Sequence, residues 1–330
     1  MRKMFINEFG RLRSGWRVLL FLAAVIAVSW LVATVLRVAY VIVLLAAPQL
    51  RQPGLVSDLI FRLSMLAGAL IAGYLCARWL ERLPWRSLGL TLHVGWFRDL
   101  VIGFAVGFVS LAIAVGVATA GKGLSFSLND VAVMSLTRSM LASAVYLCMA
   151  ALAEEAMFRG YVLQTLTRAR LAWLGVLLTS VPFGLVHLDN PNVVPGVTFA
   201  NTVIAGVWFG VAYLRTRSLW LPWGLHWAWN WALGWFFGLP VSGGTVTSNP
   251  LFKAVDNGPQ WLTGGTYGIE GGIACTVALV LSTLFLWWTP WLSATPELLK
   301  LTSDENPATP EPVLTIRTAD GGTIGSEFKL

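Results

Sequence analysis

Long apolar runs separated by short polar or basic segments set the rhythm of this chain. A helix needs about 20 mostly apolar residues to cross a bilayer core of about 30 Å, and about eight segments reach that length. They predict spans at 18–35, 59–80, 100–119, 139–166, 173–188, 195–214, 219–238 and 269–291. The expected fold is an all-α polytopic membrane protein. Residues 1–138 would hold a basic N-terminal segment and three helices, and 139–238 the four helices that carry the unusual polar residues. Residues 239–268, rich in Gly, Pro, Ser, Thr and Asn, read as an irregular external loop. An eighth helix occupies 269–292, and the Pro-, Glu- and Thr-rich stretch 293–330 reads as a flexible cytoplasmic tail.

Composition agrees with the pattern. The 330 residues are 56% hydrophobic and only 12% charged, about half the charge of a soluble domain, roughly 25%. The net charge of +7 lies in short loops, which excludes a nucleic-acid patch. Arg2, Lys3, Arg11, Arg13 and Arg17 precede the first span, and Arg78, Arg82, Arg86 and Arg98 follow the second. Arg168 and Arg170 follow the fourth, and Arg215 and Arg217 the sixth, while the alternate loops are poorer. This asymmetry predicts cytoplasmic N- and C-termini, and the charge pattern points to a bacterial inner membrane. The first span lacks a small-residue cleavage site, so it is expected to be retained. Cys76, Cys148 and Cys275 show no paired spacing, which argues against a disulfide framework or a cysteine metal site.

Two adjacent acids, Glu154 and Glu155, interrupt the apolar run 139–166, with Arg159 four residues after Glu155. Ionisable groups at membrane depth are costly and mark function by default. Residues four apart share a helical face, so Glu155 pairs with Arg159. Glu154 then points elsewhere, without a local counter-charge. As a partly desolvated acid it is expected to have a raised pKa, suited to a general base. The bland account is a packing ion pair with a spare acid reaching for water.

The histidines weigh against that account. His187 closes the fifth span, and His226 shares a face with Asn230 on the seventh. Helical rise puts Glu154, His226 and Asn230 near mid-membrane and His187 about 7 Å outward, so all four can meet in one pocket. A carboxylate and an imidazole can polarise a water, and a second imidazole with a carboxamide can stabilise an oxyanion. Alternatively Glu154, His187 and His226 form a His2Glu zinc shell, although HExxH is absent. No serine or cysteine stands beside a histidine in a motif, which disfavours an acyl-enzyme.

Glu154-Glu155-(three)-Arg159, Phe183-(three)-His187 and His226-(three)-Asn230, in that order on successive spans, resemble the CPBP family of intramembrane proteases, also called the Abi or CAAX-protease family. The resemblance covers roughly 139–238. It implies that Glu154 and His187 activate water, that His226 and Asn230 hold the oxyanion, and that Glu155 and Arg159 form a supporting ion pair. It also implies a hydrophobic peptide or membrane-protein substrate. The family is often labelled metalloprotease, though the same residues support a metal-free, glutamate-activated water, which is the form expected here, with zinc as the alternative. Competing readings are a proton-coupled transporter and a non-catalytic scaffold. Neither paired halves nor matching broken helices are visible for the first, and every motif position is filled against the second.

Weaker signals remain. Trp223, Trp227, Trp231 and Trp235 recur every four residues, as a packing face or as a wall for a greasy substrate. Asp58 and Arg62 read as a structural pair, Asn190 and Asn201 as second donors or caps, and His93 as a loop residue with no special role.

Overall fold

The computed structural model describes residues 2–303, 316–317 and 323–324. Its long helices are α1 (Ser14–Ala46), α2 (Pro53–Leu80), α3 (Trp96–Ala120), α4 (Val133–Arg168), α5 (Ala172–Val186) and α6 (Val197–Thr216). They are followed by α7 (Trp220–Trp231), α8 (Ile273–Trp288) and a short α9 (Pro296–Thr302). The protein is a polytopic all-α membrane protein, with six helices long and apolar enough to cross a bilayer among the described residues.

Of the eight expected spans, the last two fall short of the length that the other six reach. α8 has 16 residues, and α7 has 12 before a π-helical turn, Ala232–Phe236, prolongs it. For α7 the reason is burial. Leu221, Leu225, Ala228 and Trp229 of α7 are all buried among neighbouring helices. A helix enclosed by protein need not match the lipid thickness. At the other extreme, α1 runs 33 residues, past Arg37, or about 50 Å of helix.

α7 sits between α3, α4 and α6, and α3 is its main neighbour. Their contact depends on glycines. A Cβ on Gly103 would run into the carbonyl oxygen of Leu221, and one on Gly107 into that of Leu225. Gly224 meets the Leu100 carbonyl of α3 in return. Small residues four apart let two helix backbones approach closely, and here they fix the depth of the helix carrying His226. Gly107→Val is expected to cost about 3 kcal/mol through overpacking and to lose activity with it. A thermal midpoint in detergent equal to wild type would refute this.

Two large apolar clusters and a smaller one, of Leu163, Val176, Tyr213 and Leu219, form the interior. One of the large clusters joins α3, α6, α7 and α8, and the other joins α1 and α2 to Tyr161, Val162 and Leu166 of α4. The segment expected to be an irregular loop is ordered in part. Its strand β2 (Phe252–Asp256) pairs antiparallel with β1 (Leu124–Leu128), Leu124 facing Asp256 and Leu128 facing Phe252. Within the expected flexible tail, α9 buries Leu298 and Thr302. A two-residue ladder joins Ile316–Arg317 to Thr323–Ile324; residues 304–315, 318–322 and 325–330 of the tail lie outside the described residues.

Candidate active site

Glu154 and Glu155 end the regular first part of α4, and a π-helical turn, Ala156–Gly160, follows at once. Such turns concentrate at functional sites. Across it the Glu155–Arg159 pair forms as the four-residue spacing predicts, with Arg159 Nη1 3.2 Å from Glu155 Oε1 and both side chains fully buried. Arg159 also donates to the Gly206 carbonyl at 3.1 Å and lies over the rings of Phe183 and Phe209. With Phe158 as a third ring, its charge is thus shared between one acid, one backbone dipole and three π faces.

His187 takes its orientation from a helix end. At the C-terminus of α5 the backbone N–H of His187 turns to the Gly184 and Leu185 carbonyls, leaving the Phe183 carbonyl without its usual i+4 donor. The imidazole supplies one, with Nδ1 2.6 Å from that oxygen. Nδ1 therefore carries the proton, and Nε2 presents a lone pair 4.0 Å from Glu154 Oε2.

His226 is oriented by a carboxylate. Its Nδ1 lies 2.9 Å from Glu155 Oε1, and its ring stacks on Phe209. A carboxylate only accepts, so Nδ1–H donates. Nε2 then faces Glu154 Oε2 at 3.7 Å. That oxygen is buried and has no hydrogen-bond partner of its own. Asn230, one turn beyond His226, lines the same cavity of about 600 Å³. The structure thus gathers all four expected site residues around one cavity, with His187 and His226 both within 4.0 Å of Glu154 Oε2.

Zinc suits the donor chemistry of Glu154, His187 and His226 but not their spacing. Ligands of a tetrahedral zinc lie about 3.3 Å apart when each bond is about 2.0 Å, shorter than the 3.7 and 4.0 Å found. Among the described residues no group of three His, Cys, Asp or Glu is arranged to hold a metal ion.

Several expectations are corrected by packing that one helix's sequence does not record. Glu154 does have a cation near it, because Arg62 Nη1 of α2 lies 3.9 Å from Oε1. Asp58 and Arg62 form their pair at 3.0 Å, but both line the cavity. The tryptophans at 223, 227, 231 and 235 do not line it. Trp223, Trp231 and Trp235 donate to Cys148, Met140 and Ser139 of α4, and Trp227 packs on Phe104 of α3. The stripe is a packing face. His93 is buried 3.8 Å from Asp99 rather than free in a loop.

Glu270 went unrecognised in the sequence. It lines the cavity and accepts from Trp229 Nε1 at 2.9 Å and from the Ser242 N–H at 2.6 Å. Asn201 joins it by donating to the carbonyls of Glu270 and Gly272, and Asn190 lines the same wall. These contacts tie the loop after α7 to the cavity. A lone acid in a glycine-rich stretch offers no periodic signal.

Residues 136–232 match the family model described as type II CAAX prenyl endopeptidase, Rce1-like. The matched segment contains all three motifs on which the resemblance rests. No curated protein matches the chain significantly.

Proposed function

We propose that the chain is an intramembrane endopeptidase of the kind named by the family matched at 136–232, and that Glu154 is its general base. The observation that carries this reading is the unpartnered Glu154 Oε2, facing two imidazole Nε2 atoms inside a cavity. A water among these atoms gives a proton to Glu154, with His187 Nε2 sharing it, as its oxygen attacks the substrate carbonyl. The oxyanion accepts from Asn230 Nδ2 and from His226 Nε2–H. For that, His226 acts as an imidazolium, and the Glu155 carboxylate at Nδ1 balances its charge. When the C–N bond breaks, the proton from water passes to the departing amine. One water is consumed, giving an acid and an amine.

The substrate class is a peptide with an apolar anchor, delivered from the bilayer. Loop charges support cytoplasmic termini in a bacterial inner membrane, although Arg17 and Arg168 are buried on Glu81 and count less toward that rule. Two internally quenched peptides test the function in proteoliposomes. One carries a prenylated cysteine three residues before its C-terminus, and the other an apolar membrane segment without lipid. Cleavage of either, unchanged by 1,10-phenanthroline, is the expected result. Inhibition reversed by added zinc would replace the free water with a metal, and no cleavage of either peptide would count against the endopeptidase.

A further inference from the structure

Arg62 belongs to α2, outside the segment matched by the family model. It lies inside a membrane-spanning helix, where a guanidinium must find partners. Its Nε is 3.0 Å from Asp58 Oδ2 and 3.0 Å from the Tyr146 hydroxyl, and the guanidinium lies 4.8 Å from the Tyr146 ring centroid. These contacts fix the plane of the group. An Asp58–Arg62 pair would be enough to solvate both charges, yet Nη1 is turned across the helix interface to Glu154 Oε1 at 3.9 Å. Arg159, the other arginine at the site, is taken up by Glu155, Gly206 and the phenylalanine faces. Arg62 therefore gives the second oxygen of Glu154 an electrostatic anchor on the side away from the histidines.

We infer that Arg62 is a positioning residue: held by Asp58 and Tyr146, it draws Glu154 Oε1 toward α2 and leaves Oε2 turned to His187 and His226. The inference rests on the reading of Glu154 as the base. It makes α2 part of the active site, so the catalytic unit extends beyond the helices the family model covers.

Two arms test it in proteoliposomes. In the first, the quenched peptide that the wild type cuts is assayed with Arg62→Gln, Arg62→Lys and the double variant Asp58→Asn/Arg62→Gln, which leaves no stranded charge. Arg62→Gln and the double variant should lower kcat about ten- to a hundredfold with KM unchanged, and Arg62→Lys should recover part of the loss. Unchanged kcat, or a rise in KM alone, overturns the inference. The second arm needs no substrate. Dicyclohexylcarbodiimide, an apolar reagent for protonated carboxyls, is followed by mass spectrometry of the peptide bearing Glu154. With Oε1 held on Arg62, wild type and Arg62→Lys should label slowly, and Arg62→Gln, whose carboxyl is no longer held, should label faster. Equal labelling overturns the Arg62–Glu154 contact. Should the wild type cut neither peptide, the endopeptidase reading fails on its own, and labelling alone decides for or against Arg62.

Discussion

Glu154→Gln is expected to lower peptide cleavage by about a thousandfold, within the range measured when a general base is removed. The substitution keeps the volume and one carbonyl oxygen, so packing against the imidazoles survives. What is lost is the proton acceptor, and a carboxamide cannot take a proton from water. Thermal midpoint and helix content should stay near wild type, because Oε2 makes no hydrogen bond within the protein. Glu155→Gln should act differently. It weakens the hold on both Arg159 Nη1 and His226 Nδ1, so stability falls together with rate. Detergent solution, which carries no gradient, is the decisive medium for Glu154→Gln. Turnover at the wild-type level there would remove Glu154 from the chemistry and return the transporter and scaffold readings to contention.

The helical fold and the centre of the site were legible because each follows from spacing along one chain segment. Apolar runs of bilayer length give the spans. The four-residue spacing from Glu155 to Arg159, and from His226 to Asn230, gives shared faces whatever the neighbours are. The partners that come from other helices were not legible. Arg62 is separated from Glu154 by a whole intervening span, α3, and no periodicity records that α2 lies against α4. Glu270 is hidden for a related reason, since its role depends on a loop folding back over the Trp229 indole. Helix length misled at α7, where apolar residues continue past Trp231 but the regular helix gives way to a π turn. The tryptophan stripe shows the opposite limit. Its period was right and its face was predictable, but only the position of α4 shows that the face meets protein rather than substrate.

Glu81→Ala should produce the largest loss of stability, about 3–5 kcal/mol. Glu81 follows α2 and is buried with two guanidiniums, Arg17 Nη1 at 3.1 Å and Arg168 Nε at 2.9 Å, while Thr165 donates to its other oxygen at 2.7 Å. These contacts join α1 to the ends of α2 and α4. Removing the carboxylate leaves two buried cations facing one another, and that desolvated repulsion is the reason to expect a value at the upper end of the range. Burial alone would push the Glu81 carboxyl up, but Arg168 and Arg17, with hydrogen bonds from Thr165 and Tyr161, outweigh it and hold the group below its ordinary range. The sign follows from that direction. A carboxylate depressed in the folded state contributes stability that is complete above the unfolded value, about 4.3, and is lost as pH falls through the folded one. The thermal midpoint of the wild type in detergent should therefore fall on acidification below about pH 4.3. Glu81→Gln, which keeps the shape without the charge, should begin with a lower midpoint and show a shallower acid fall. Parallel acid profiles for the two proteins would mean that the carboxylates governing acid unfolding lie elsewhere, and that the Arg17–Glu81–Arg168 cluster joins these helices by packing and hydrogen bonding rather than by charge.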